Sequence, residues 1–339
     1  MSRILVTGAN GFLGAHIVKE ALDNGYIVRG TVRSAAKADE LKKIFPSEKF
    51  ETVIVPDLIA GDYTEALKDV TALIHSASPF AVEVSDPKKD FLDPAIDGTL
   101  NVLRAAHAAG IKRIIVTSTV GTVLSQPELM SVDYTYGSDD WLPLTYEQAA
   151  SGTLPGFVVY LASKKYAELA AWDFAKEHPE INLTVINLFI LATVIYGPVI
   201  HPISSLKSLN ASNTIIYSLI NGSKAIPPDT VPVFCDVVST AQIHVKALES
   251  KATYGKRVIF TKGPGTVYQM LQIIAKARPE LADRLSPIPE ADPLAGKPFS
   301  KFDTSIAVDV LGVKGLDLEE TVLQTVDSLL ELEKKLGTN

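Results

Sequence analysis

The chain reads as an α/β protein built on a doubly wound parallel sheet with a smaller C-terminal lobe, and three observations predict this. Apolar runs of β-formers alternate with amphipathic helical stretches through the first half, the pattern of a parallel sheet covered on both faces. The first such run breaks into a glycine-punctuated turn that opens a helix, Ile4-Leu5-Val6-Thr7-Gly8-Ala9-Asn10-Gly11-Phe12-Leu13-Gly14. After Gly197-Pro198 the texture changes to a stretch rich in Ser, Asn and Pro, followed by a further set of elements.

In chain order, the apolar runs predict strands at Arg3–Thr7, Tyr26–Thr31, Phe50–Val55, Ala72–His75, Arg113–Thr117 and Leu183–Leu188. Helices are expected between them near 12–24, 35–45, 62–68, 94–109 and 157–177, with Gly110 ending the fourth. Ile226-Pro227-Pro228 argues against regular structure over 199–232. A helix near 239–249, a strand at Arg257–Thr261, a helix near 266–277 and a last helix near 317–336 complete the chain. Residues 1–190 are expected to form mainly the Rossmann-type dinucleotide-binding domain with the reactive side chains. Residues 191–339 are expected to form mainly a substrate-binding lobe, with some chain crossing back. Such a lobe closes over the carboxyl ends of the strands, where open α/β sheets bind ligands.

Bulk properties exclude several classes. The 339 residues are 47% hydrophobic and 21% charged, with a net charge of −7, which argues against a nucleic-acid partner. The single cysteine, Cys235, excludes an intramolecular disulfide framework and fits the reducing cytoplasm. The N-terminus runs straight into the first strand, leaving no room for a signal peptide. Ile181–Ile200 is apolar, but Asn182, Thr184, Asn187, Thr193, Gly197 and Pro198 interrupt it, so it is read as a buried strand and not a membrane span. The six histidines, at 16, 75, 107, 178, 201 and 244, show no metal-ligand spacing, and no metal is expected.

The glycine turn is the strongest local signal. Gly8 allows the tight turn, Gly11 lets backbone N–H groups approach a pyrophosphate, and Gly14 lets the helix lie close to the strand. The spacing G-x-x-G-x-x-G is a variant of the usual fingerprint, and Asn10, Phe12 and Leu13 complete the loop that faces the phosphates at the helix N-terminus. The second strand ends in Gly30-Thr31-Val32-Arg33-Ser34-Ala35-Ala36-Lys37, with no acid before Asp39. An acidic residue there would bind the 2′-hydroxyl of NAD. Arg33, with Lys37 one turn on, instead suits a 2′-phosphate, so NADPH/NADP+ is the expected cofactor. Asp57-Leu58 after the third strand can meet the adenine. Ala77-Ser78-Pro79 after the fourth can line the pyrophosphate and ribose.

Tyr160-Leu161-Ala162-Ser163-Lys164 opens a predicted helix, and positions i and i+4 share a face. A free phenol titrates near about 10. A nearby ammonium is expected to lower that value, making Tyr160 a proton donor or acceptor at a carbonyl or hydroxyl oxygen. Lys164 can also hold the nicotinamide ribose. A third hydroxyl should come from the end of the fifth strand, with Thr119 chosen, Ser118 as the alternate and Thr117 beside the cofactor.

Together, Gly8-x-x-Gly11-x-x-Gly14, Asp97-Gly98-Thr99-x-Asn101, Ser118-Thr119 and Tyr160-x-x-x-Lys164 resemble an extended short-chain dehydrogenase/reductase. Within it the chain is most similar to the dihydroflavonol-4-reductase-like branch, which includes fungal NADPH-dependent aldehyde and ketone reductases. The resemblance covers nearly the whole chain, including Thr31-Val32-Arg33 and Phe302-Asp303-Thr304-Ser305. It implies catalytic roles for Thr119, Tyr160 and Lys164, and nicotinamide-side contacts at Thr193 and Val194. The family's usual proline is Ala192 here, and its Val-His-Val-Asp-Asp pattern appears as Cys235-Asp236-Val237-Val238-Ser239. Substrate-wall candidates are Phe80, Val82, Val84, Tyr134, Trp141 and Pro198, with Tyr136 beside them.

The expected reaction is NADPH-dependent reduction of an aldehyde or ketone to an alcohol by a soluble monomer or homodimer with a small-molecule carbonyl substrate. A steroid-type hydroxyl dehydrogenase would use the same three residues. A sugar-nucleotide epimerase is disfavoured by Arg33, and a dehydratase by Val120-Gly121 where an acidic pair would stand. A non-catalytic NADP(H)-sensing protein would not need Tyr160 and Lys164.

Overall fold

The computed structural model describes residues 2–78, 85–124, 134–188, 195–227, 233–292, 294–297 and 299–337. The chain runs β1 (Arg3–Thr7), α1 (Phe12–Asp23), β2 (Ile27–Val32), α2 (Ala35–Ile44), β3 (Phe50–Ile54), α3 (Thr64–Leu67), β4 (Ala72–His75) and α4 (Asp93–Ala108). It continues with β5 (Arg113–Thr119), β6 (Thr135–Tyr136), α5 (Tyr146–Ala150), α6 (Gly156–Glu177), β7 (Asn182–Leu188) and β8 (Ile195–Tyr196). The last third holds α7 (Ala211–Ile220), β9 (Val233–Asp236), α8 (Val237–Glu249), β10 (Lys256–Phe260), β11 (Lys262–Pro264), α9 (Val267–Ala277), β12 (Lys301–Phe302) and α10 (Leu318–Leu336).

Seven strands form one parallel sheet in the order β10-β7-β5-β4-β1-β2-β3. The order reverses between β1 and β4, and that switch point opens a crevice at the carboxyl ends of the strands. The central strands are buried on both faces, so they read as continuous apolar runs such as Ile4-Leu5-Val6 and Ile114-Ile115-Val116. One face packs against α1, α2 and α8 through Ile17, Val18, Leu41, Ile243 and Val245. The other packs against α3, α4 and α6 through Leu67, Val102, Leu103, Ala171 and Phe174. A separate core, with Tyr196, Ile216, Phe234, Met270, Leu271, Val326 and Leu329, belongs to α7, α9, α10 and the small sheet β11-β9-β8.

The structure departs from the sequence reading in the stretch 199–232, where no regular structure was expected. Ala211–Ile220 is a helix there. Its Ser, Asn and Thr residues are weak helix formers, but burial of Ile216, Leu219 and Ile220 in the lobe core overrides propensity. The fourth helix is preceded by a π-type turn, Lys88–Leu92, that the pattern did not foretell. The strand expected at Arg257–Thr261 is β10, the outer strand of the large sheet, so the chain returns to the first layer after contributing β8 and β9 to the small sheet.

Candidate active site

The glycine turn builds the phosphate end of the crevice. Gly8 has φ +69°, a conformation that side chains rarely adopt, and a Cβ there would press on the backbone of Ala77 at 3.0 Å. A Cβ on Gly14 would collide with the Gly8 carbonyl, so α1 can lie this close to β1 only with glycine. Thr7 fixes the neighbouring segment. Its hydroxyl oxygen accepts the N–H groups of Ser76 and Ala77 at 3.1 Å each and therefore gives its own proton to His75 Nδ1, 2.8 Å away. That bond sets the imidazole as the Nε2–H tautomer. Burial, with the charge of Lys164 adding to it, pushes His75 down to about 3.

A cleft of about 530 Å³ runs from this turn along the ends of β1, β2, β3 and β4. It is lined by Gly8, Asn10, Gly11, Arg33, Lys37, Leu58, Ala77 and Ser78 among others. Arg33 is exposed at the end of β2, and Ser34 caps α2 by accepting the N–H of Lys37 at 3.4 Å. Two cationic side chains and a helix N-terminus thus share one side of the cleft. Lys37 also reaches Glu40 at 2.8 Å. These residues fit a phosphorylated dinucleotide: glycine turn for the pyrophosphate, Arg33 and Lys37 for a 2′-phosphate.

The turn after β3, where the sequence expects the adenine, is held from α4. Asn101 on α4 donates from Nδ2 to the carbonyls of Leu58 (3.2 Å) and Gly61 (3.0 Å), tying the turn after β3 to that helix. Leu58 lines the cleft. Asp57 spends Oδ1 on the N–H groups of Ile59 (2.7 Å) and Ala60 (3.2 Å), which leaves Oδ2 for any other contact. Asn101 of the Asp97–Asn101 motif thus pins this loop.

Two of the expected reactive side chains, Tyr160 and Lys164, share α6. Lys164 is buried, 8% exposed, with Nζ 3.4 Å from the Thr117 carbonyl and 3.5 Å from Ser78 Oγ. Desolvation pulls its ammonium down to about 8, with Glu168 one turn on opposing that fall. Tyr160 precedes it by four residues on α6, with its ring edge-on to Phe91 of the π-type turn at 6.4 Å. The expected lowering of the Tyr160 phenol does not hold here. Burial dominates and pushes it up to about 12, so the free protein carries a neutral phenol.

The strand-end hydroxyls divide by role. Thr119 is fully buried; its Oγ1 accepts the Gly121 N–H at 3.0 Å and keeps its own proton to donate. Ser118 points to the opposite side and gives its proton to Glu168 at 2.5 Å. Thr117 was expected beside the cofactor, but its hydroxyl is turned to His244. His244 Nδ1 can only donate to the Thr240 carbonyl (2.8 Å), so Nε2 accepts from Thr117 at 2.9 Å. The Thr117 carbonyl is the atom that Lys164 reaches.

Some expected residues have other partners. Trp141 lies beneath the Arg257 guanidinium at 3.8 Å. Tyr134 donates to Asp140 at 2.9 Å and meets Tyr136 edge-on, while β6 pairs with β12 so that Tyr136 stacks on Phe302. The Pro198 carbonyl accepts from His16 Nε2 at 2.9 Å, placing Pro198 over α1. Asp236, standing where the family pattern differs, caps α8 through Ser239 N–H at 2.6 Å and accepts from Leu316 N–H at 3.0 Å. Pro79, Phe80, Val82, Val84, Ala192, Thr193 and Val194 lie outside the described residues. His107, His178 and Glu180, unremarkable in spacing, are brought within 4.8 Å of one another, with His107 bonded to Glu180 at 2.6 Å.

A dinucleotide crevice that meets a Tyr–Lys pair on one helix defines a nicotinamide-dependent oxidoreductase of the short-chain type. The model of the NAD dependent epimerase/dehydratase family matches residues 4–202, and the chain belongs to that family. It is 41% identical over 337 residues to an uncharacterised oxidoreductase of Schizosaccharomyces pombe, covering 97% of each chain. A ketoreductase of Aspergillus niger is 35% identical over 344 residues, covering 97% of this chain and 98% of the other. Among solved structures, a yeast methylglyoxal/isovaleraldehyde reductase complexed with NADPH superposes with a TM-score of 0.85 at 28% identity, over 99% and 100% of the two chains. Within its family the chain is an NADPH-dependent carbonyl reductase.

Proposed function

We propose that the carbonyl reduced here is a small aldehyde, α-oxoaldehyde or ketone, and that Tyr160 donates the proton to its oxygen. The observation that carries this reading is the single α6 face that bears Tyr160 and Lys164, with Lys164 reaching the carboxyl ends of β4 and β5 beside the cleft. The substrate class is supported by the relatives, one named a ketoreductase and one solved as a methylglyoxal/isovaleraldehyde reductase.

NADPH, when bound, supplies the hydride that reaches the carbonyl carbon. Tyr160, held neutral by burial, gives the phenolic proton to the oxygen, so that an alcohol leaves. Thr119 retains a hydroxyl proton and holds the same oxygen beside the phenol. Lys164, one turn further along the same helix face, supplies the positive charge that favours loss of the phenolic proton. Gly8, Asn10, Gly11, Phe12, Leu13 and Gly14 would bind the pyrophosphate, Arg33 and Lys37 the 2′-phosphate, and Leu58, Ala77 and Ser78 the adenine and ribose.

We further assign residues 1–190 mainly to the cofactor and 191–339 mainly to the substrate side, and expect a monomer or homodimer in the cytoplasm. No helix among the described residues is long and apolar enough to cross a membrane. Cys235, the one cysteine, is buried. The test is a panel of aldehydes, α-oxoaldehydes and ketones with consumption of reduced nicotinamide followed by absorbance. Turnover of steroids or nucleotide sugars in preference to all of these would overturn the substrate assignment.

A further inference from the structure

Two charged side chains that take no part in the reaction are enclosed at the heart of the site. Glu168, 1% exposed, lies on α6 one turn past Lys164 and two past Tyr160. Arg257, 6% exposed, comes from β10 and meets it, Nε to Oε1, at 2.7 Å. An ion pair this deep gives up the hydration of both charges, and such pairs are poor sources of stability. Their hydrogen bonds show what the pair holds in place.

On one side, Glu168 Oε2 accepts from Ser118 Oγ at 2.5 Å and from Asn187 Nδ2 at 2.9 Å. Arg257 Nη2 and Asn187 Nδ2 both donate to Thr122 Oγ1, at 2.9 and 3.1 Å. The Thr122 hydroxyl lies 2.8 Å from the Thr119 carbonyl and 3.0 Å from Glu168 Oε2, so its one proton serves either acceptor. Thr119 is thus gripped through its carbonyl and through its neighbour Ser118, while its own hydroxyl stays free to donate. On the other side, Arg257 Nη1 donates to the carbonyls of Ser138 (2.9 Å) and Asp140 (2.6 Å), and the guanidinium covers Trp141. That segment directly follows β6.

We infer that Glu168 and Arg257 form a positioning pair: Glu168 sets Thr119 against the Tyr160–Lys164 face, and Arg257 fastens the Ser138–Trp141 segment to the same centre. Thr119 and the Ser138–Trp141 segment, which the sequence offers as substrate wall through Trp141, are then placed by one ion pair. The inference rests on the proposed roles of Thr119, Tyr160 and Lys164 and on Trp141 as substrate wall. It has an electrostatic corollary. Lys164 faces His75 from β4, the Thr117 carbonyl from β5, and Glu168 on its own helix; Glu168 in turn faces Arg257 from β10. The Glu168 charge helps Lys164 keep its proton.

The test compares Glu168→Gln, Arg257→Lys and Tyr160→Phe with the wild-type enzyme on one reducible carbonyl. Readouts are kcat, KM, NADPH Kd, the pH profile and Tm. Glu168→Gln keeps the shape and removes the charge. It should leave NADPH Kd within about twofold, lower kcat by about tenfold or more, and move the alkaline limb of the profile to lower pH. Arg257→Lys keeps the charge but lacks the fork to both carbonyls. It should leave the alkaline limb in place and raise KM for the carbonyl by about tenfold. A Glu168→Gln enzyme with lower Tm but unchanged kcat, KM and pH limb overturns the positioning role. If Glu168→Gln does not fold, Arg257→Lys decides alone: an unchanged KM overturns the proposal. An inactive Tyr160→Phe beside an unaffected Glu168→Gln rejects only the positioning pair. An active Tyr160→Phe rejects the site assignment and the pair with it.

Discussion

The ammonium of Lys164 lies 3.4 Å from the carbonyl oxygen of Thr117, a residue 47 positions earlier whose hydroxyl faces the other way, toward His244. A buried lysine held by a carbonyl and by Ser78 loses much of its hydration and gains little charge compensation, which accounts for its fall to about 8. Below that pH the ammonium is present; above it the charge is lost. Measured kcat/KM should therefore hold up to about pH 8 and decline beyond it. A flat profile to pH 10 would show that the Lys164 charge is not used.

Tyr160→Phe removes the phenolic proton while the ring that meets Phe91 is kept. NADPH binding by fluorescence titration should stay near wild type while kcat falls by on the order of 10²–10⁴. Substantial remaining turnover would take Tyr160 out of the mechanism.

Arg33 is exposed at the end of β2 and lines the cleft with Lys37. Arg33→Ala should weaken NADPH binding by about one to two orders of magnitude, the worth of a charge-assisted hydrogen bond to a phosphate, and leave NADH binding unchanged. Equal losses for both nucleotides in calorimetric titrations would place the 2′-phosphate elsewhere.

Acid should destabilise the fold through its buried imidazoles. Burial holds His75 at about 3 and His16, His201 and His244 at about 4, all below the unfolded value of about 6.5. Unfolding between those limits takes up protons, so stability is full above about pH 6.5 and is lost as pH falls toward about 4. Each such histidine contributes a slope of about 1.4 kcal/mol per pH unit within that window. Thermal melts across pH 7.5 to 5 should show a steep drop in Tm, less steep in His244→Gln. Equal pH slopes in the two proteins would exclude His244 from the effect.

The sheet was legible because its strands are buried on both faces and leave plain apolar runs; β1 and β4 fall where the sequence places them, and the other strands of that sheet within a few residues. The glycine turn, the cation at the end of β2 and the Tyr160–Lys164 spacing were legible because each is a local pattern in the chain. Helix α7 was hidden by its Ser and Asn residues, and β6, β8 and β12, two residues each, are too short to leave a pattern. Glu168 and Arg257 were missed because their meaning lies in a pairing across 89 positions. The available hint was a carboxylate among Ala167, Leu169, Ala170 and Ala171, where an ordinary surface charge would not sit. The Tyr160 phenol was misjudged for a related reason: spacing announces a neighbouring lysine but says nothing of how dry the pocket is.

The outer strand of the main sheet arrives late. β10 begins at Lys256, after the chain has left the sheet at β7 and contributed β8 and β9 elsewhere. During synthesis, the nascent first domain therefore emerges with the apolar edge of β7 open and the Glu168 carboxylate lacking its guanidinium. That edge is a template for pairing with another chain, and the carboxylate favours keeping the region wet until Arg257 docks. Completion of the main sheet and of the Glu168–Arg257 pair is consequently a long-range event in folding, and slow translation through residues 190–260 would prolong the aggregation-prone interval.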